Sequence, residues 1–172
     1  VYHAAAVMAG ADPVFLNAIK ENNFFPDLDL LDEALLKRTT AFYLCSPSNP
    51  QGTVAGAAYL RQVLKLARKY DFVLIMDECY AEIYDREKPE GILQICQEEG
   101  GSLEKVMVFH SLSKRSSAAG LRSGFIVGDA ALTKALLNLR NFAGAASPLP
   151  VCAASAALWA DDDHVALNRD RY

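Results

Sequence analysis

Three segments of this sequence set polar side chains directly behind apolar runs. Asp77 follows Phe72–Met76, Ser111 and Lys114 follow Val106–Phe109, and the turn Ser46-Pro-Ser-Asn-Pro-Gln-Gly52 follows Ala41–Cys45. A carboxylate that ends an apolar run is costly to bury unpaired, so Asp77 either meets a partner or caps the next turn. A lysine in a dry pocket or beside a positive centre gives up its proton and becomes a nucleophile or base; the usual fate of a lysine is a solvated surface. Arg122, downstream of Lys114, carries a forked set of hydrogen-bond donors, and Ser113 a hydroxyl. A solvated arginine and a structural Ser113 are the plainer alternatives. Tyr80 brings a hydroxyl or only core packing, and Asn49 an amide or only a turn residue between two prolines.

Apolar runs of strand length alternate with longer stretches of helical period. Strands are expected at Ala41–Cys45, Phe72–Met76, Val106–Phe109 and Gly124–Gly128. The unbroken apolar character of Phe72–Met76 predicts a strand covered on both faces. Ala57–Tyr70 carries Leu60, Val63, Leu64 and Ala67 on one face and Arg61, Lys65, Arg68 and Lys69 on the other, which predicts an amphipathic helix. Further helices are expected over Asp29–Arg38, with Asp27 or Asp29 as N-cap, and over Asp129–Phe142, Val151–Trp159 and His164–Tyr172. Ala11–Leu16 reads as a turn into a short strand, and Asp85–Ser102 as loop around a short Ile92–Gln97 segment. This order predicts an α/β fold with a mainly parallel sheet and helices on both faces, a three-layer α/β/α arrangement. Right-handed crossovers would bring the polar strand ends to one carboxyl edge, where ligands bind.

A length of 172 residues allows one domain with a real core. The net charge of −4 gives no basic surface, so nucleic acid is not expected as a partner. No apolar run is long enough to span a bilayer, so no membrane is expected. Cys45, Cys79, Cys96 and Cys152 form no CxxC pair and read as reduced, mostly buried thiols of a cytoplasmic protein. Clustered Cys and His are absent, so no metal is expected. No Gly-x-Gly-x-x-Gly follows a strand, which leaves a dinucleotide site unsupported. His110 reads as a packed histidine, and His3 and His164 belong to no motif.

The segments Ser46-Pro-Ser-Asn-Pro-Gln-Gly52, Asp77-Glu-Cys-Tyr80, and Ser111-Leu-Ser-Lys-Arg-Ser116 followed by Gly120-Leu-Arg122 together resemble the class I and II aminotransferases. These are pyridoxal-phosphate enzymes of fold type I, and the resemblance covers essentially the whole chain. It implies that Lys114 holds the cofactor covalently and moves a proton, that Asp77 pairs with the pyridine nitrogen, and that Tyr80 and Asn49 meet the phenolic oxygen. It also implies that Ser111, Arg122 and Ser113 hold the phosphate. Tyr2 falls where the family has an aromatic near the substrate side of the pocket. Ser117-Ala-Ala-Gly120 departs from the bulkier residue and proline of many relatives, which alters loop stiffness.

The expected activity is transfer of an amino group between an amino acid and a 2-oxo acid, in a cytoplasmic homodimer. The wording of the motifs looks like succinyldiaminopimelate or aspartate-type enzymes. Two alternatives share the same core: a carbon–sulfur β-lyase, and the aminotransferase-like sensor domain of a transcription regulator. Residues 1–160 are expected to form the cofactor-binding large domain, incomplete at its N-terminus. Residues 161–172 would start a helix toward a small domain outside this chain, which is read as a piece of something longer.

Overall fold

The computed structural model describes residues 1–144 and 146–172. Four strands, β1 (Ala41–Cys45), β2 (Val73–Asp77), β3 (Val106–Ser111) and β4 (Gly124–Gly128), form one sheet in the order β1-β2-β3-β4. The first three are parallel and β4 returns antiparallel to β3, so the sheet is α/β and mainly parallel. β4 lies so close to β3 that a Cβ on Gly124 would stand 2.3 Å from the His110 carbonyl oxygen, and one on Gly128 2.0 Å from that of Val106. Only glycine fits at either end of this strand.

Helices α3 (Ala57–Tyr70) and α4 (Ile92–Glu98) form the crossovers β1-α3-β2 and β2-α4-β3. Both steps move along the sheet in the same direction, so right-handed crossovers put both helices on one face. Leu60, Val63, Leu64 and Ala67 of α3 and Ile92, Ile95 and Cys96 of α4 pack there against Leu44, Leu74, Met76, Val106 and Val108. Each large side chain buried this way contributes about 1.5–3 kcal/mol. The amphipathic pattern of α3 is thus matched residue for residue.

The opposite face is thinner. Side chains alternate along a strand, so Tyr43, Cys45, Ile75 and Asp77 point away from α3 and α4. They are half-buried or exposed, Tyr43 at 38%. The two faces of β2 are covered unequally: Leu74 and Met76 are buried, while Val73 and Ile75 are partly so. Helix α1 (Tyr2–Met8) meets this second face, with Tyr2 stacked on Tyr43 at 5.0 Å between ring centroids.

Several local expectations are corrected. Ala11–Leu16 forms no strand, because its backbone finds no neighbouring strand to pair with. The expected Asp29–Arg38 helix splits into a 3₁₀ turn, Leu28–Leu30, and α2 (Glu33–Arg38). Asp27 accepts from Asp29 N in the first and Asp32 from Leu35 N in the second, so each acid caps its own turn. A one-turn α5 (Leu112–Arg115) follows β3. Helix α6 (Ala130–Ala143) starts at the cap Asp129, α7 spans Leu149–Ala160 and α8 spans Asp163–Arg171. The cysteines are less uniform than expected: Cys96 is buried, Cys45 and Cys79 are intermediate and Cys152 is exposed.

Candidate functional site

The strand register gathers the reactive residues. Cys45 is paired with Asp77, Asp77 with Phe109, and Ser111 with Gly124. The ends of β1, β2 and β3 and the start of β4 therefore share one edge. The turn carrying Asn49, the Asp77–Tyr80 segment, the Ser111–Lys114 turn and Arg122 all leave the sheet there.

Asn49 sits on a loop that closes on itself. Ser48 N donates to the Thr53 carbonyl at 2.8 Å, Gly52 N to the Ser48 carbonyl at 2.8 Å, and the Ser48 and Thr53 hydroxyls lie 2.7 Å apart. Buried Ser46 accepts from Ala55 N at 2.9 Å. Asn49 then reaches across the edge, its Nδ2 donating to the Tyr80 hydroxyl at 2.9 Å. The Lys114 ammonium nitrogen stands 5.8 Å from the centre of the Tyr80 ring. Amide, phenol and amine are thus brought together from three separate segments.

Asp77 is held from both sides. Its Oδ1 accepts from Cys79 N at 3.1 Å, and its Oδ2 accepts from the Tyr2 hydroxyl. Burial, then the neighbouring carboxylate, pushes the Tyr2 hydroxyl well above its ordinary value, so Tyr2 keeps its proton and remains the donor. Burial also pushes the Cys79 thiol up to about 12. Cys45 moves the same way, from burial first and Asp77 second. Both thiols beside the carboxylate therefore stay protonated at neutral pH. Tyr2 touches Asp77 through its hydroxyl. Its position just inside the chain's start gave no sign of a contact with residue 77.

Ser111 is the N-cap of α5. Its Oγ accepts from Ser113 N at 3.1 Å and lies 2.9 Å from Ser113 Oγ. Arg122 is exposed, has a positive φ of 50°, and donates through Nη1 to the Ala119 carbonyl at 3.0 Å. Its neighbour Ser123 accepts from Leu112 N at 3.1 Å and from Ser111 Oγ at 3.4 Å, which ties the arginine's backbone to the serine turn.

One residue beside the site escaped the sequence reading. Glu78 is buried and accepts from Ile92 N at 2.8 Å, at the start of α4. His110 Nε2 lies 3.5 Å from it and its ring packs 5.0 Å from that of Phe125. Burial raises the Glu78 carboxyl and lowers the His110 imidazole. An acid following Asp77 was the only available signal. No group of three or more His, Cys, Asp or Glu able to hold a metal occurs among the described residues, and no helix is long and apolar enough to cross a membrane.

Comparison with known proteins adds a second line of argument. Residues 1–172 match the family model described as aminotransferase class I and II. The chain is 46% identical over 132 residues to 4-dedimethylamino-4-oxo-anhydrotetracycline transaminase OxyQ of Streptomyces rimosus, covering 76% of this chain and 36% of that protein. It is 33% identical over 142 residues to LL-diaminopimelate aminotransferase 2 of a Nostoc species, covering 82% of this chain and 35% of that protein. A crystal structure of an aminotransferase from Neisseria meningitidis superposes with a TM-score of 0.92 at 42% identity, over 98% of this chain and 43% of that one. The chain thus spans about a third of the curated relatives' length.

Proposed function

This chain belongs to the class I and II aminotransferases, and from that premise we propose that it carries the pyridoxal-phosphate site of an enzyme moving an amino group between an amino acid and a 2-oxo acid. The observation that supports this best is the shared strand edge, where the Asn49–Tyr80 bond of 2.9 Å stands beside the Lys114 amine. The donor set suits the cofactor's chemistry. A carboxylate suits a ring nitrogen, an amine suits an aldehyde carbon, a phenol and an amide suit a phenolic oxygen, and hydroxyls with a guanidinium suit a phosphate.

Bound pyridoxal phosphate supplies an electron-accepting ring for a carbon that has lost its proton. Asp77 holds a proton at the ring nitrogen, with Tyr2 and Cys79 N fixing the carboxylate's orientation. Lys114 would hold the cofactor's aldehyde carbon, and its amine would serve as the base that takes the proton from the substrate's α-carbon. Tyr80 and Asn49 donate toward the phenolic oxygen and so favour its anionic form. Ser111, Ser113 and Arg122 bind the phosphate. The reading includes a cytoplasmic homodimer, as the family resemblance implies.

The test uses the complete protein. Pyridoxal phosphate is expected to produce an absorbance band near the edge of the visible, lost in Lys114→Ala; persistence of the band in that variant removes the lysine assignment. A panel of amino donors with 2-oxoglutarate then measures transfer. Pyruvate release from cystathionine without an acceptor would instead identify a β-lyase. The names of the similar proteins, a transaminase and an aminotransferase, favour transfer.

A further inference from the structure

Lys114 sits on a helix that can supply few of its own hydrogen bonds. α5 is four residues long, and one turn fixes several backbone dihedrals for very few hydrogen bonds. The last carbonyls of any helix also lack donors from within it. Here Ser117 N reaches the Lys114 carbonyl only at 3.5 Å.

The missing donors come from α8. Asn168 Nδ2 donates to the Lys114 carbonyl at 3.0 Å and to the Arg115 carbonyl at 3.2 Å, while its Oδ1 accepts from the Ser117 hydroxyl at 2.6 Å. One side chain therefore holds Lys114, Arg115 and Ser117 at the turn's exit. One turn earlier on α8, His164 Nε2 lies 2.8 Å from Ser116 Oγ. Its Nδ1 lies 3.0 Å from Asp161 Oδ2 but is not aligned for a hydrogen bond, so the Ser116–His164–Asp161 series is part of the same brace and not a hydrolytic triad. Arg115 extends the grip, donating to the Leu158 carbonyl at 2.6 Å and to Asp162 at 2.5 Å.

The residue after Asn168 faces the other side of the site. Arg169 lies over the Tyr84 ring at 4.2 Å and 3.6 Å from Glu82 Oε2, on the segment that follows Tyr80. Helix α8 thus touches both the turn of the amine and the loop of the phenol.

We propose that Asn168 is a positioning residue for Lys114, and that α8 sets the amine's place relative to Tyr80 by completing the C-terminal end of α5. The inference rests on the cofactor reading above, yet it is testable apart from it. In the complete protein, Asn168→Ala is expected to speed amide hydrogen exchange across residues 112–118 by about tenfold, the scale of one or two lost hydrogen bonds. Capture of pyridoxal phosphate on Lys114, fixed with borohydride and located by peptide mass spectrometry, should need about tenfold more cofactor. The pH midpoint of the bound cofactor's absorbance should also move, which a general loss of stability would not produce. Leu167→Ala, an exposed neighbour on the same helix, is the control and should leave all three readouts unchanged. If the alanine variant does not fold, Asn168→Asp carries the test, since it keeps the acceptor for Ser117 and loses the donor to the two carbonyls. Unchanged exchange and unchanged capture in a folded Asn168 variant overturn the proposal. Faster exchange in a protein whose wild type captures no cofactor would keep the brace and sink the cofactor reading instead.

Discussion

The two faces of the sheet are built for different purposes. On one, Leu74, Met76, Val106 and Val108 are fully buried under α3 and α4. On the other, Tyr43, Cys45, Ile75 and Asp77 are partly open, and Tyr2 of α1 reaches in to stack on Tyr43 and donate to Asp77. Since strand neighbours alternate in direction, Met76 and Asp77 are adjacent in sequence and belong to opposite faces. The contrast puts the packed Met76 and the candidate site residue Asp77 one residue of register apart.

The sharpest way to break that contrast is to mutate the adjacent pair. Asp77→Ala is expected to lower amino transfer about a hundredfold or more while leaving the thermal midpoint near that of the wild type. Met76→Ala should cost about 2–5 kcal/mol of stability from the cavity left in the dense face, while the folded fraction still binds cofactor. Thermal unfolding and a cofactor titration on both variants check this. Equal losses of stability in the two would mean that the faces are not separable.

A smaller effect sharpens the role of α1. Tyr2→Phe keeps the stack on Tyr43 and removes the donor to Asp77. The carboxylate then keeps Cys79 N as a backbone donor. Cofactor affinity should fall about tenfold, the scale of a hydrogen bond to a charged group, with little change in stability. Equilibrium titration with pyridoxal phosphate reads the difference, and unchanged affinity would leave α1 as packing alone.

The smallest effect lies on the buried side of the edge. Glu78 has a raised carboxyl value in the fold, so the native state holds its proton more tightly than the unfolded chain does. Its contribution to stability is full below the ordinary value of 4.5 and is lost as pH climbs through the raised value. His110, lowered from 6.5, contributes in the opposite sense: its share is present above 6.5 and fades as pH falls through the lowered value. Urea unfolding of Glu78→Gln against wild type between pH 4 and pH 7 should therefore show a difference that varies across the carboxylate range. A flat difference would place Glu78 outside the titrating groups.

Much of this was legible in the sequence because it depends on local runs. The strands were marked by Ala41–Cys45, Val106–Phe109 and Gly124–Gly128, and the core face of α3 by its four apolar residues. Asn49, Asp77, Tyr80, Ser111, Ser113 and Lys114 of the candidate site were legible because each ends a strand or lies close behind one, whereas Arg122 precedes β4. What was hidden depends on contacts between distant residues. Asn168 meets a carbonyl 54 positions away and Tyr2 a carboxylate 75 away, and no periodicity marks such partners. His164, which belonged to no motif, meets Ser116 in the same way. Ala11–Leu16 failed as a strand for the converse reason, since its composition was suitable but a neighbouring strand was not available.

The Ser46–Ala55 loop has one more property. Its own hydroxyls and amides close it, through Ser48 with Thr53 and Ser46 with Ala55, so the backbone that carries Asn49 is shaped largely within ten residues. It behaves as a cassette. A graft of the whole segment between related chains should transfer the direction of that amide intact, whereas a graft of the asparagine alone should not.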